Sequence, residues 1–167
     1  MTNPAAYSTT VVKQPRIEGV KTKPLRLIPD ERGFLLEILR ADESEIFTTF
    51  GQVYISATYS GVVKAWHYHQ KQVDHFTCVH GMMKVVLYDG RDGSPTRGQV
   101  NEFFLGVHNP ILLRIPAGVT HGFKCISEHE ALIINVPTEV YVYGEPDEFR
   151  LDAHDPSIPY DWARKDG

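Results

Sequence analysis

The chain has 167 residues, 42% of them hydrophobic and 23% charged, which is typical of one globular domain. The net charge is −4 with the histidines neutral, and no basic run occurs, which argues against a nucleic-acid or anionic-membrane partner. No apolar run reaches transmembrane length, the first residues lack a signal-peptide pattern, and Cys78 and Cys125 make no disulfide framework, so we expect a cytoplasmic protein.

Short apolar runs, separated by glycine and proline, follow one another along the chain. Residues 1–20 are polar without a clear period, which predicts an N-terminal arm before a single domain over 21–167. Runs of four to eight residues at this spacing predict many short antiparallel strands. The predicted strands cover 33–40, 52–59, 62–69, 73–80, 82–89, 98–105, 111–115, 121–126 and 131–136. We therefore expect an all-β jelly-roll barrel, which buries its two sheets against each other.

One segment departs from this strand pattern. Residues 42–49 suggest a short helix, with Asp42 or Ser44 as its N-cap. The predicted architecture is thus a jelly-roll β-barrel with short peripheral helices.

The placement of the histidines is the most informative feature of the sequence. His67 and His69 point to the same face of a strand because side chains alternate with period two. His121 begins a different strand and can meet them only in the folded barrel. Imidazole nitrogens together with one carboxylate, such as that of Asp74, suit a divalent transition metal and leave positions open for a ligand.

The spacing of these residues resembles the two cupin motifs. His67, His69 and Asp74 lie between Gly61 and Gly81, and 116–121 reads Pro-Ala-Gly-Val-Thr-His. Asp74 stands where metal-binding cupins usually have glutamate. The resemblance implies a cupin fold, and it implies His67, His69, Asp74 and His121 as the ligands if a metal is bound.

A longer resemblance points to one cupin family. The segments 30–37, 52, 89–91, 94–98, 115–123 and 158–162 occur in the order found in the dTDP-4-dehydrorhamnose 3,5-epimerase family, over roughly residues 25–162. Such enzymes act on a dTDP-4-keto-6-deoxyhexose in deoxysugar and polysaccharide biosynthesis. The resemblance implies an isomerase that works without a cofactor, by general acid–base chemistry beside a ketone.

The family pattern assigns the catalytic roles to particular residues. His67 matches the base, and His121 matches the second histidine of the active site. The acid is Tyr141 or Tyr143, because the local alignment leaves both open. Two further catalytic candidates complete the set, a cationic group at Lys64 and a carboxylate partner of the base at Asp166.

Other matches concern the binding of the nucleotide. Arg32, Glu37 and Gln52 match residues that contact the nucleotide, and arginine suits phosphate recognition. In the family this arginine reaches in from the partner subunit, so a homodimer is implied. His69 stands where the family has a substrate-binding glutamine.

The sequence also departs from the family pattern. Lys64 replaces an arginine, and a regular strand would put Lys64 and His67 on opposite faces, so a shared site requires a bulge or a twist. Asp74 falls where the family has a lysine, which reverses the charge. These changes complete a metal-binding set and leave two alternatives open: a metal-dependent cupin enzyme, and a non-catalytic sugar-nucleotide binding module.

Overall fold

Short β-strands form the framework of the protein in the computed structural model, which describes residues 16–166. The strands are β1 Lys21–Pro24, β2 Leu27–Asp30, β3 Gly33–Leu36, β4 Tyr54–Thr58, β5 Val63–Tyr68, β6 Asp74–His80, β7 Met82–Tyr88, β8 Val100–Gly106, β9 Ile111–Ile115, β10 Thr120–Cys125, β11 Ala131–Asn135 and β12 Phe149–Arg150. Within the described residues all the strand pairs are antiparallel.

Two five-stranded sheets face each other. The first has the order β1-β9-β6-β11-β4, and the second has the order β12-β5-β10-β7-β8. Consecutive strands from β4 to β7, and again from β9 to β11, alternate between the sheets, which is a jelly-roll arrangement. The predicted cupin-type β-barrel is therefore confirmed. β2 and β3 form a separate hairpin outside both sheets.

The hydrophobic core lies between the two sheets, because each strand turns alternate side chains inward. Val85, Leu87 and Leu113 are each 0% exposed in this core. Cys78 and Cys125 are buried there as free thiols, in agreement with their interpretation as small hydrophobic residues.

A second apolar cluster covers the outer face of the sheet that contains β5. The rings of Trp66 and Trp162 lie 4.9 Å apart, and each residue is 2% exposed. Trp66 Nε1 donates a hydrogen bond to the carbonyl of Ala153 at 3.2 Å. These contacts hold the C-terminal segment against β5, where β12 pairs so that Arg150 lies opposite His67.

Three details of the predicted organisation are wrong. The domain begins before residue 21, because Ile17 and Val20 are 1% and 5% exposed in the core. The rest of the predicted arm, residues 1–15, lies outside the described residues. β1, β2 and β12 were not predicted, since these strands have only two to four residues and little apolar alternation.

The third detail concerns the predicted helix over 42–49, which is a series of turns. Ile46 is buried against Leu25 and Leu112, and its carbonyl accepts a hydrogen bond from His75 Nε2 at 3.0 Å. The conformation of this segment is therefore fixed by contacts with residues distant in sequence. No helix occurs within residues 16–166, so the predicted peripheral helices are wrong as well. It follows that this part of the chain contains no helix able to cross a membrane.

Candidate active site

Three histidines meet in the mouth of the barrel, two of them on neighbouring strands and the third directly after β5. His67 on β5 lies directly opposite His121 on β10, with the ring centroids 4.1 Å apart. The ring of His69 lies 5.7 Å from each of the other two. The convergence that the sequence predicted is therefore present.

A bulge in β5 places Lys64 on the same side of the strand as His67. Lys64 and His67 are three residues apart on β5, whereas their partners on β10 are only two residues apart. Ala65 and Trp66 therefore face the single residue Gly122. A Cβ at Gly122 would come within 2.3 Å of the Ala65 Cβ, so this close approach requires glycine. The irregularity needed for a shared site is thus built into the strand pair.

Asp74 lies behind the histidines and is 1% exposed. Its Oδ2 atom is 3.2 Å from Nε2 of His69 and 3.2 Å from Nε2 of His121. Its Oδ1 atom accepts hydrogen bonds from Gln72 Nε2 at 2.8 Å and from Asn135 Nδ2 at 2.7 Å. The carboxylate therefore faces imidazoles and amides and does not line the cavity in front of them.

These contacts set the protonation of the cluster. The pKa of His67 is held well below the usual value of 6.5, mainly by burial and secondly by the neighbouring His121. Burial alone would raise the pKa of Asp74, but its contacts with His121 and His69 outweigh burial and hold the pKa well below 3.8. Burial alone would lower the pKa of His69, and the contact with Asp74 outweighs it, so this pKa is raised. A neutral His67 thus stands in front of an ionised Asp74.

An open cavity of about 670 Å³ lies in front of His67. Five residues predicted for the site line it: Gln52, Lys64, His67, His69 and Tyr141. Lys64 Nζ donates hydrogen bonds to the Ala57 carbonyl at 2.6 Å and to Ser56 Oγ at 3.1 Å, which hold the cation at the wall. The cavity has the size and mixed lining of a small-molecule site.

Other predicted residues lie elsewhere. His121 is 1% exposed and sits behind His67, outside the cavity lining. Tyr143 is 93% exposed and does not line the cavity either. Asp166 forms an ion pair with Arg164 at 2.7 Å, with its side chain 76% exposed. The structure does not bring Asp166 to His67.

The predicted nucleotide contacts are divided between two places. Gln52 lines the cavity, and its Oε1 accepts a hydrogen bond from the Tyr141 amide at 3.2 Å. Arg32 and Glu37 are exposed at the tip and the end of the β2–β3 hairpin. Within this chain Arg32 pairs with Asp30, outside the cavity.

The structure adds residues that the sequence reasoning missed. Arg150 lines the cavity, placed there by the short strand β12. The Asp147 carboxylate accepts backbone hydrogen bonds from residues 70, 71 and 72 at 2.8–3.0 Å, and its carbonyl contacts His69 Nδ1. Tyr54 and Asn135 also line the cavity. Asn135 could have been recognised from the sequence. It follows Ala131 and Ile133 in the alternation of side chains that point inward, where a polar residue needs a partner or a ligand.

The same histidines have the geometry of metal ligands. One ring nitrogen from each of His67, His69 and His121 lies within 4.8 Å of those of the other two. His121 Nδ1 donates to the Val119 carbonyl at 2.9 Å, and its Nε2 atom is buried with Asp74 Oδ2 3.2 Å away. A metal-binding histidine is commonly oriented through its other nitrogen in this way. The residues therefore fit a divalent transition metal.

The double-sheet barrel, with histidines from both motifs at its mouth, defines a cupin-type protein with a small-molecule site. Residues 14–167 match the family model of dTDP-4-dehydrorhamnose 3,5-epimerase. The chain belongs to this family, whose members are isomerases of dTDP-sugars.

Individual relatives agree with this assignment. A probable low-salt glycan biosynthesis epimerase of Haloferax volcanii is 44% identical over 89% of this chain and 96% of its own length. A spore coat polysaccharide biosynthesis protein of Bacillus subtilis is 42% identical over 87% of this chain and 96% of its own length. The crystal structure of a dTDP sugar isomerase from Desulfovibrio desulfuricans is 38% identical with a TM-score of 0.84, covering 90% of this chain and 94% of that one.

Proposed function

We propose that this protein epimerises a dTDP-4-keto-6-deoxyhexose, with His67 as the base that removes a proton beside the ketone. The observation that carries the proposal is the position of His67, which faces the cavity, and burial holds its pKa well below 6.5, which favours the neutral imidazole. A carbon acid next to a carbonyl needs such an unprotonated base. When His67 accepts the proton, the charge of Asp74 behind it stabilises the imidazolium that forms.

The enolate that forms on proton removal needs positive charge near its oxygen. Lys64 lines the cavity and carries that charge, although the family lysine is replaced by Asp74. Arg150 also lines the cavity, where it forms an ion pair with Glu148 at 2.9 Å. Because Asp74 is buried between two imidazoles, its carboxylate is kept from the enolate. The residues of the chain thus supply both the base and the charge stabilisation, and we propose that the reaction needs no cofactor.

We also propose that the enzyme works as a homodimer. Within residues 16–166 the β2–β3 hairpin pairs with no other strand, and it exposes Ile28, Phe34 and Leu35 at 50%, 66% and 59%. Ile28 and Leu35 lie opposite each other on one face of the hairpin and Phe34 lies on the other face, so both faces are apolar, which favours docking on another chain. Among residues 16–166 no strand pairs with the outer edge of β4 in the first sheet, next to the cavity. A partner hairpin docked there would carry the partner copy of Arg32 towards the nucleotide.

Light scattering tests this arrangement. We expect twice the chain mass for the wild-type protein and a monomer for Phe34→Asp, because the charge would be buried at the interface. Glu31→Lys, an exposed change at the tip of the same hairpin, serves as the control and should stay dimeric. A wild-type monomer at micromolar concentration would contradict the proposal.

A metal-dependent cupin enzyme is the second candidate, favoured by the convergence of three histidine nitrogens. His67, His69 and His121 would hold the ion, with the Asp74 carboxylate behind them, and the ion would act as a Lewis acid on a substrate oxygen. The two candidates make opposite predictions for protein treated with a chelator. Only the metal-dependent enzyme requires stoichiometric metal for its activity.

Proton NMR of dTDP-4-keto-6-deoxyglucose in D2O distinguishes the candidates. We expect the C3 or the C5 proton signal to disappear with chelator-treated protein, because His67 removes the proton without a metal. Exchange that occurs only after metal is restored supports the metal-dependent enzyme. Binding of the nucleotide with no exchange in either state contradicts both enzymes and supports a non-catalytic binding module.

The cellular setting follows from the substrate class. A dTDP-sugar made for polysaccharide assembly is processed in the cytoplasm, which agrees with the two free thiols, Cys78 and Cys125. The named relatives from Haloferax volcanii and Bacillus subtilis belong to glycan and spore coat polysaccharide biosynthesis. We propose a corresponding role in deoxysugar supply for this protein.

A further inference from the structure

Tyr54 reaches the cavity from the sheet that faces His67. It is the first residue of β4, in the sheet β1-β9-β6-β11-β4, whereas His67 belongs to β5 in the opposite sheet. Both side chains line the same cavity. A sugar ring bound between the sheets would therefore meet His67 on one face and Tyr54 on the other.

The hydrogen bonds around Asn135 fix the direction of the bond to Tyr54. The backbone amide of His75 can only donate, and it donates to Asn135 Oδ1 at 3.0 Å. The amide nitrogen of Asn135 must then be the atom that contacts Asp74 Oδ1 at 2.7 Å and the Tyr54 hydroxyl oxygen at 2.9 Å. The Tyr54 oxygen is therefore the acceptor in this bond.

This direction leaves the hydroxyl hydrogen of Tyr54 uncommitted. Within residues 16–166 the hydroxyl makes no second hydrogen bond, so its proton is available to a ligand in the cavity. The pKa of Tyr54 is raised to about 12, mainly by burial and secondly by the charge of Asp74, which keeps the phenol protonated near neutral pH. The Asn135 bond favours the phenolate that remains after the proton is given away.

The geometry points to Tyr54 as the acid that returns a proton to the sugar, an inference that rests on the proposed epimerase function. His67 takes the proton of the carbon beside the ketone, and the electron pair moves to the ketone oxygen as an enolate. The Tyr54 O–H then gives its proton to the opposite face of that carbon, which restores the ketone and inverts the centre. The phenolate left on Tyr54 regains a proton from solvent, and the His67 imidazolium releases one.

The two tyrosines predicted from the sequence are placed less well for this step. Tyr141 lines the cavity from an irregular segment, and Tyr143 is 93% exposed and lies outside the cavity lining. Tyr54 lies on a strand paired with β11 and is held at its oxygen by Asn135. A proton donor on a rigid element meets the positional demand of inversion more closely.

A comparison of Tyr54→Phe with Tyr141→Phe tests the assignment, using dTDP-4-keto-6-deoxyglucose in D2O. Each change removes only a hydroxyl group, and dTDP affinity and the melting temperature serve as folding controls. We expect Tyr54→Phe to keep the His67-dependent exchange of the substrate proton within about 10-fold and to form epimerised product at least about 100-fold more slowly. Tyr141→Phe should epimerise within about 10-fold of the wild-type rate.

The outcomes separate the role of Tyr54 from the proposed function. Epimerisation by Tyr54→Phe within about threefold of the wild-type rate overturns the assignment, as does a loss of inversion confined to Tyr141→Phe. Loss of exchange and inversion together in Tyr54→Phe also overturns it, because an acid acts after proton removal. If the wild-type protein shows no exchange, the proposed function itself fails, and the role of Tyr54 fails with it.

Discussion

Replacing His67 by asparagine is expected to reduce epimerisation by at least about 100-fold, since general-base catalysis contributes factors of about 10²–10⁴. Asparagine has about the size of the imidazole but cannot accept the proton of a carbon acid. Proton exchange at the sugar should fall with the epimerisation rate, because both begin with the same step. The affinity for dTDP should stay within a few-fold, since His67 faces the sugar in the proposed mechanism.

The matched control is His154→Asn, the same chemical change at an exposed position outside the cavity. This variant should keep the wild-type rate. Full exchange activity in His67→Asn would remove His67 from the mechanism. The pH dependence provides a second check: because the pKa of His67 lies well below 6.5, kcat/KM should hold as the pH falls through 6.5 and decline only at lower pH.

Replacing Asp74 by asparagine is expected to lower the free energy of unfolding by about 3–5 kcal/mol at pH 6, the effect of breaking a buried ion pair. The carboxylate is 1% exposed and contacts Nε2 of both His69 and His121. An amide in its place cannot balance the charge of an imidazolium. Urea unfolding gives the measurement, and Asp92→Asn is the control, since the Asp92 side chain is 92% exposed. The control should change the free energy by less than about 0.5 kcal/mol.

The pH dependence of this stability has a definite sign. The pKa of Asp74 is depressed in the folded protein, so its contribution is present above its unfolded value of 3.8 and is lost as the pH falls towards the folded value. The pKa of His69 is raised, so its contribution is present below 6.5 and is lost as the pH rises through the folded value. The stabilisation that the Asp74–His69 pair contributes should therefore be largest between pH 3.8 and pH 6.5. In Asp74→Asn the free energy of unfolding should vary less with pH on both sides of this range. A pH profile unchanged from that of the wild type would contradict the pairing.

The replacement of the family lysine by Asp74 takes on a different meaning in the folded structure. In the sequence the change reversed a charge expected to face the enolate, which favoured a metal site. In the structure the carboxylate lies behind His67 and contacts two imidazoles, while Lys64 and Arg150 face the cavity. Lys64 on β5 thus keeps positive charge at the cavity wall, and the ion pair of Arg150 with Glu148 lies at the same cavity. The position of a charge relative to the cavity depends on the strand that carries it, which residue identity alone does not specify.

The sequence by itself determined the jelly roll and the histidines at the mouth of its barrel. Strand length and alternation are local properties, and His67 and His69 share a face for the same local reason. The need for a bulge between Lys64 and His67 also followed from parity, and the register shift opposite Gly122 confirms it. The order of the matched segments was sufficient to indicate the family to which the chain belongs.

Only the tertiary structure decided which other side chains share the cavity. Tyr54 and Asn135 become neighbours because β4 pairs with β11, across 81 residues of sequence, and Arg150 arrives through the two-residue strand β12. The turns at 42–49 form because Ile46 is buried against residues distant in sequence, although its own segment favours a helix. Hydrogen-bond direction, burial and pKa depend on such long-range neighbours, because the electrostatic field at each group is set by what folding packs around it.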